Sequence, residues 1–374
     1  MSALLPTYTP FPFVMERAEG VYVYSDSGEK YLDLYGGHCV SLLGHCPKII
    51  TDAIAEQSKK FFFYSMAGEI PIREEAALAL ASYTHPDLRQ FFFCNSGAEA
   101  NEVALKLSIQ KKKREKLVGF KNGWHGRSLL CMSVTDDKKW HDSMLGWCGE
   151  SDFLELNNEE TLKNITEDVA AVILEPVQSI GGVQVASIPF LKALRARCTE
   201  VGVWLIFDEI QTGIGRTGLP FVSGFSGVTP DMTTLAKGLA SGFPIGALSV
   251  TKEVAATLSS GDLGSTFGGG PVALAALKAS LNHINQIQIH THVQRVSEYA
   301  FKKLSELSIV EEVRGLGLLL GLKVKEPAKK IQENLIAKKI LVGTSGDSSV
   351  VRLLPPLIID ESHIDTLFNA LNEM

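Results

Sequence analysis

The chain has 374 residues, long enough for a large core and for two or three domains of ordinary size. Hydrophobic residues make up 45 % and charged residues 21 %, the mix of a globular protein, which excludes extended disorder. With 36 basic against 42 acidic side chains the formal charge is −6, and an excess of acid excludes a broad nucleic-acid surface.

Met1 to Phe13 carry no positive region followed by a long apolar stretch, and no run is long enough to cross a bilayer. The cysteines stand at 39, 46, 94, 131, 148 and 198, with no CxxC pair. Cys94 and Cys131 lie in apolar runs, where a reduced, buried thiol is expected. A reducing, cytoplasmic compartment follows as an expectation. Val21–Tyr24 and Tyr31–Leu34 flank Ser25-Asp-Ser-Gly28 and predict a β-hairpin.

From about residue 70, apolar runs alternate with helical patterns. Phe91–Cys94 precedes a helix over 98–112. Ala170–Leu174 precedes one over 189–201. Val203–Phe207 and Met232–Ala236 are further strands. Strands apolar throughout, separated by helices, predict an α/β fold with a mainly parallel central sheet covered by helices on both faces. A long helix over 272–284 follows Gly268-Gly-Gly-Pro271. The tail then reads as a smaller α+β domain: helix 293–307, strands near 310–324, helix 327–339, strand 349–354, helix 361–373. The expected division is a large domain over 46–285 and a small one joining 1–45 to 286–374. Lys111–Arg114 closes a helix, where cations complement the negative dipole end.

Several segments could carry chemistry. Asn95-Ser96-Gly97-Ala98-Glu99 follows a strand and opens a helix. Ser96 and Glu99 have capping-box spacing, and the small Gly97 and Ala98 would let a phosphate approach the helix N-terminus. Asp208 ends an apolar strand, at the edge where ligands of open α/β sheets gather. Burying it requires a cation or hydrogen-bond donors. Lys237 ends another apolar strand. Desolvation there lowers an amine's proton affinity, as an amine nucleophile requires, although a snorkelling lysine has the same sequence pattern. Two neighbouring strand ends would bring Asp208 and Lys237 into one crevice. Gly213–Gly218 fits GxGxxG, but five residues separate it from its strand and no helix follows, so a nicotinamide-dependent oxidoreductase is disfavoured. Gly264–Pro271 offers hydroxyls and N–H groups before a helix, suited to a second phosphate contact or a hinge. His290 and His292 are two apart and would face different sides of a helix. HExxH, GxSxG and P-loop patterns are absent, and no metal site is expected.

Together these segments resemble the class III family of pyridoxal-phosphate-dependent aminotransferases, of fold type I. The likeness rests on the order of Asn95-Ser-Gly-Ala-Glu-Ala-Asn-Glu, Trp124-His-Gly-Arg-Ser, Glu175-Pro-Val-Gln, Asp208-Glu-Ile-Gln-Thr-Gly, Leu235-Ala-Lys-Gly-Leu and Gly264-Ser-Thr-Phe-Gly-Gly. Lys237-Gly-Leu-Ala-Ser-Gly-Phe-Pro-Ile-Gly-Ala is most similar to the acetylornithine and ornithine aminotransferases.

The resemblance implies a role for each matching residue. Lys237 would hold pyridoxal phosphate covalently and shuttle the proton. Asp208 would pair with the pyridinium nitrogen, flanked by Glu209 and Ile210. Gln211 would bond the phenolic oxygen. Ser96, Gly97 and Ala98 would seat the phosphate, Thr266 would reach it from the neighbouring subunit of a homodimer, and Trp124 would cover the ring. Arg127, with Ser265 nearby, would bind substrate carboxylate, and Arg352 the α-carboxylate of glutamate. The implied reaction moves the terminal amino group of an N-acylated ornithine to 2-oxoglutarate in arginine biosynthesis, with ornithine or GABA as alternative donors. One departure bears on the donor. Where relatives have Glu-Pro-Ile-Gln-Gly-Glu, this chain has Glu175-Pro-Val-Gln-Ser-Ile180, so the acid that gates the glutamate-binding arginine is replaced by Ile180. Arg352 is then expected to lack a carboxylate partner unless another acid substitutes.

Overall fold

The computed structural model describes residues 3–5, 7–143, 149, 151–224 and 226–374. Cys148 lies outside the described residues.

The predicted hairpin forms. Tyr22–Ser25 pairs antiparallel with Lys30–Asp33, closed by a turn in which Gly28 adopts φ +81° and donates to the Ser25 carbonyl. Met15–Glu19 extends it on one side. Ile340–Leu341 from the tail adds in parallel on the other, with Ile340 opposite Leu32. The two chain ends are thus hydrogen-bonded into one small sheet.

The central sheet has seven strands. In spatial order they are Gln90–Cys94, Gly246–Val250, Met232–Leu235, Trp204–Asp208, Val169–Leu174, Lys116–Phe120 and Ser151–Leu154. All run one way except Gly246–Val250, which is antiparallel to both neighbours. This strand, like Lys116–Phe120 and Ser151–Leu154, was not foreseen from sequence. Gly246 admits it: a Cβ there would lie 2.3 Å from the Ser96 carbonyl oxygen. Val169–Leu174 and Trp204–Asp208 are buried along their whole length, as strands covered on both faces must be.

Helices begin where the sequence supplies caps. Ser96 opens Gly97–Lys112, its hydroxyl accepting from the Glu99 N–H. Ser187 opens Ile188–Glu200, and Pro271 stands in the first turn of Pro271–Gln286. The capping box differs in detail from expectation. The Glu99 carboxylate takes the N–H of Asn95 at 2.6 Å, one residue before the cap. The basic run Lys111–Arg114 is absorbed structurally: Lys111 pairs with Asp262, Lys112 lies over the Trp204 ring, and Arg114 donates to the Val169 and Val201 carbonyls.

A second four-stranded sheet orders Val310–Leu316, Leu319–Val324, Val350–Leu353 and Gly343–Thr344. The largest apolar cluster runs from Leu32 and Ile50 through Leu80 and Leu281 to Val324, Ile340 and Leu371. It ties the small sheets to the large one, so Arg352 on strand Val350–Leu353 faces the ends of the central strands.

Candidate active site

Three strand ends converge on one crevice. Asp208 is the last residue of Trp204–Asp208. Lys237 follows Met232–Leu235 and opens a 3₁₀ turn, Lys237–Ala240. Ser96, Gly97 and Ala98 follow Gln90–Cys94. These residues line a cavity of about 320 Å³, apart from a few apolar neighbours shared with Trp124, His125, Glu175, Ile210 and Gln211. The strand-edge expectation therefore holds geometrically: Asp208 and Lys237 share one site.

Asp208 is buried and ionically provisioned by a network. Its Oδ2 accepts from Asn101 Nδ2 and His125 Nδ1, each at 2.8 Å, and its Oδ1 accepts from the Ile210 N–H at 3.1 Å. Asn101 also donates to the His125 carbonyl and accepts from Thr234 Oγ1 at 2.6 Å, so its amide orientation is set on both sides. Such bonding stabilises a buried carboxylate and fixes its direction. His125 Nε2 is buried without a hydrogen-bond partner among the described residues.

Lys237 has φ +44°, a left-handed backbone uncommon for a side chain of this kind and of the sort found at functional sites. Burial holds its proton affinity down, against the opposing pull of Asp208. Glu175 is buried beside it and accepts from the Trp124 N–H at 2.8 Å. Desolvation pushes its carboxyl up to about 7, with the Asp208 charge acting in the same direction and His125 against it.

Ile210 and Gln211 line the cavity, but Glu209 does not. Its carboxylate accepts from the N–H groups of Val222 and Ser223 and from the hydroxyls of Ser223 and Thr212. It anchors the loop after the strand and does not line this cavity. Ser265 is also absent from the crevice of its own chain. Its hydroxyl accepts from Asn95 Nδ2 and from the Gly268 N–H, and Thr266 beside it is exposed. Gly213–Gly218 is a series of turns holding Arg216, fully buried, whose Nη1 donates to the carbonyls of Leu318 and Pro355. His290 and His292 do diverge, toward Tyr83 and the Ile359 carbonyl respectively.

A second, larger cavity of about 1030 Å³ adjoins the first through Trp124, Gln211 and Lys237. Arg127, Ile180 and Arg352 line it, with His38, Tyr35 and the N-terminal segment Tyr8–Pro12 opposite. Arg127 lies over the Trp124 and Tyr8 rings. Arg352 is buried. It donates to the Thr344 carbonyl at 2.6 Å and to Ser179 Oγ at 3.1 Å, and sits over the Tyr35 ring. Among the described residues no carboxylate lies within ion-pair distance of it, as the replacement of an acid by Ile180 implies. Ser179 supplies a neutral partner instead, a contact the sequence reading missed.

The donor set fits pyridoxal phosphate. The first-turn N–H groups at Gly97 and Ala98 lack intrahelical partners and face an anion's position. A buried carboxylate able to pair with a ring cation, Asp208, and the amine of Lys237 line the same cavity. Sequence comparison agrees. Residues 4–374 match the family model "Aminotransferase class-III". The chain belongs to the class III aminotransferases. It is a pyridoxal-phosphate-dependent transaminase of α/β fold. Curated relatives named acetylornithine aminotransferase include those of Oceanobacillus iheyensis, 39 % identical with 100 % of this chain and 96 % of the relative covered, and of Bacillus subtilis, 37 % identical with 100 % and 97 % covered. Among solved structures, the ornithine aminotransferase of Toxoplasma gondii superimposes with a TM-score of 0.92 at 26 % identity, covering 99 % of this chain and 92 % of that one.

Asn101, His125, Thr234 and Glu175 complete the site and had no role in the sequence reading. Asn101, His125 and Glu175 stood inside the motifs that carried the resemblance, but nothing in a linear pattern shows which side chain of a motif turns inward.

Proposed function

We propose that this enzyme transfers the terminal amino group of an N-acylated ornithine, acetyl or succinyl, to 2-oxoglutarate, giving the semialdehyde and glutamate, in arginine biosynthesis. The observation that carries the reading is the pair Arg127 and Arg352 in one cavity with Lys237. A dicarboxylic acceptor needs two cations, and an arginine fork suits each carboxylate. The names of the full-length relatives favour the acylated donor.

Bound pyridoxal phosphate supplies an electron sink for the carbon that loses its amino group. Lys237 holds the cofactor and carries the proton at that carbon, a task suited to an amine with depressed proton affinity. Asp208 keeps the ring nitrogen protonated, held in place by Asn101 and His125. Ser96, Gly97 and Ala98 would receive the phosphate, Trp124 would cover the ring, Gln211 would bond the phenolic oxygen, and Ile210 lines the same cavity. Arg352 takes the glutamate α-carboxylate.

The unpaired state of Arg352 bears on the donor. A desolvated cation without an acid favours a ligand that brings a carboxylate and disfavours one that brings an ammonium. Free ornithine brings an α-ammonium, N-acetylornithine a neutral amide, and N-succinylornithine a further carboxylate. Succinyl is therefore expected to serve at least as well as acetyl.

The working form in this reading is a cytoplasmic homodimer. Phe62, Tyr64, Met66 and Phe267 form an exposed apolar patch, with Phe63 and Phe267 rings 5.1 Å apart. Patches of this kind mark interfaces, and Thr266 adjoins this one. Ser265 and Thr266 would then act in the partner's site. Mixed dimers of Lys237→Ala and Thr266→Ala chains should recover activity that neither homodimer has.

The deciding experiment is a donor panel with 2-oxoglutarate as acceptor and glutamate formation as readout. N-acetylornithine and N-succinylornithine should exceed ornithine and GABA in kcat/KM. A panel led by ornithine or GABA overturns the substrate assignment.

A further inference from the structure

Residues Gly36 to Cys39 form a left-handed helical turn. The φ values are +56°, +55°, +68° and +68° in sequence, and the Cys39 and Val40 N–H groups bond back to the carbonyls of Tyr35 and Gly36. Two of these residues, His38 and Cys39, carry side chains. Left-handed helical backbone is unfavourable for an L-residue, so consecutive side chains persist there only when the surroundings fix them.

The surroundings do fix them. Asp33, buried at the end of its strand, accepts from the N–H groups of Tyr35 and Gly36 through Oδ1, and from His45 Nε2 through Oδ2. A Cβ at Gly36 would lie 2.6 Å from the Leu354 carbonyl oxygen, so no other residue fits the first position. The Tyr35 ring lies against the Gly343 backbone, where a Cβ would meet it at 2.3 Å.

The turn aims His38 into the larger cavity. Its ring stands 4.6 Å from that of Tyr35 and 5.7 Å from that of Tyr8, across from Lys237, Arg127 and Arg352. Desolvation, and then the charges of Arg352 and Lys237, hold its proton affinity below the ordinary value. It is thus a neutral imidazole at pH 7, with one donor and one acceptor nitrogen. Neither nitrogen has a hydrogen-bond partner among the described residues. His38 is exposed to the cavity, so the strained turn holds a donor–acceptor pair open to a ligand that approaches Lys237.

We infer that His38 is a specificity-determining residue that hydrogen-bonds the secondary amide at the acylated end of the amino donor. The inference rests on the acylornithine reading above. The donor's terminal amine must reach Lys237, and its amide lies several bonds away on the same chain. A neutral imidazole complements an amide, which offers one donor and one acceptor, whereas an ammonium offers donors only and leaves the imidazole N–H without an acceptor. The cavity also carries the neutral polar side chains of Tyr8, Thr9, Tyr35, Gln211 and Gln332, of which Gln332 is engaged by the Val342 carbonyl and by Lys329; His38 adds a donor and an acceptor on one rigid ring.

Two variants test it. His38→Asn keeps a donor and an acceptor and tolerates left-handed backbone; His38→Gly relaxes the turn and removes the ring. Both should keep a Tm no lower than the wild type, because the strain is relieved. In His38→Gly the ratio of kcat/KM for N-acetylornithine to that for glutamate should fall about tenfold or more. In His38→Asn it should fall less. A readout independent of turnover is calorimetric binding of N-acetylnorvaline, which has the carboxylate and amide but no reacting amine. Its Kd should rise by the same factor in His38→Gly. An unchanged ratio and Kd in His38→Gly overturns the inference, and so does a large drop in Tm, which would make the turn merely structural. If wild-type enzyme does not turn over N-acetylornithine, the substrate reading itself has failed, and the glutamate half-reaction identifies that outcome separately.

Discussion

The floor and the side wall of this active site are built on opposite terms. On the floor, Asp208 is gripped by Asn101, His125 and the Ile210 backbone, and Asn101 is gripped in turn by Thr234. All of these come from the central sheet or the helix and loop packed on it. On the wall, Arg352 leans on a carbonyl, a hydroxyl and a ring, and His38 on two rings. These groups come from the small sheets, the N-terminal segment and a strained turn. The Asp208 carboxylate is fully engaged because its task is one fixed charge in one place, and His125 Nε2 behind it is the floor atom left without a partner among the described residues. The wall keeps bonding capacity unused because its partners arrive with the substrate. Buried charge alone does not distinguish the two. Arg216 is fully buried and has no carboxylate partner among the described residues, with Nε and Nη2 also unpartnered there, yet it braces two carbonyls away from either cavity.

The contrast breaks most visibly at the floor. Lys237→Ala should lower kcat by about 10³-fold or more, removing the group that moves the proton. An enzyme variant with wild-type turnover would end the assignment. Asp208→Asn should come next, at about 10²–10³-fold in kcat, with far-UV and thermal signatures intact because asparagine preserves the shape. Rate loss accompanied by global unfolding would instead make Asp208 a structural residue.

Glu175 sharpens the comparison through pH. Its carboxyl is raised from 4.5 to about 7 in the folded protein. The native state then binds more protons than the unfolded chain between those values, so this group costs stability as pH rises through about 4.5 to 7 and levels off above. Glu175→Gln retains an acceptor for the Trp124 N–H and abolishes the effect. Its Tm should match the wild type near pH 4.5 and exceed it at pH 8, by at most about 3 kcal/mol in stability terms. A Tm difference independent of pH would show that the carboxyl is not raised.

On the wall, Arg352→Ala should raise KM for 2-oxoglutarate by roughly ten- to a hundredfold, the worth of one charge-assisted bond of about 1.5–3 kcal/mol. kcat with saturating acceptor should change much less. Arg352→Lys should recover little, since a lysine cannot present a fork to both the Thr344 carbonyl and a carboxylate. Equal losses in kcat and kcat/KM would move Arg352 from binding into the chemical step.

The same contrast explains what sequence could and could not reveal. Strand ends, helix caps and the order of motifs are local, and Asp208, Lys237 and Ser96 to Ala98 were all legible from them. The hairpin and four of the seven central strands were legible too, because apolar runs and turn residues are local signals. The strand Gly246–Val250 was hidden within a glycine-rich motif, and its antiparallel direction depends on the close approach that Gly246 allows. Glu209 looked like its neighbours in the strand-end motif, yet its carboxylate is taken up by the Val222 and Ser223 N–H groups away from the cavity. His38 and Ser179 were not legible at all. Their placement depends on a left-handed turn and on the packing of the strand that carries Arg352 against the segment after Leu174, and neither has a signature in spacing.

The smallest expected effect is also the one most diagnostic of the wall. Ile180 lines the cavity beside Arg352 and donates no charge to it. In Ile180→Glu a carboxylate would stand next to a desolvated guanidinium already bonded to Ser179. An acid there competes with any substrate carboxylate for the same donor hydrogens, because the guanidinium's fork is finite. The variant should therefore bind 2-oxoglutarate less tightly, while N-acetylornithine, neutral at its acylated nitrogen, loses less. The ratio of kcat/KM for N-succinylornithine to that for N-acetylornithine should fall by a few-fold, and free ornithine should gain, because its ammonium no longer meets an uncompensated cation. This is a partial effect, on the order of 1 kcal/mol, since the cavity is open to water and screens part of the attraction. Competition assays with the three donors on one enzyme preparation measure it directly. A succinyl-to-acetyl ratio that stays constant while ornithine remains poor would show that donor choice is set by shape and hydrogen bonding on the His38 side rather than by the charge of Arg352.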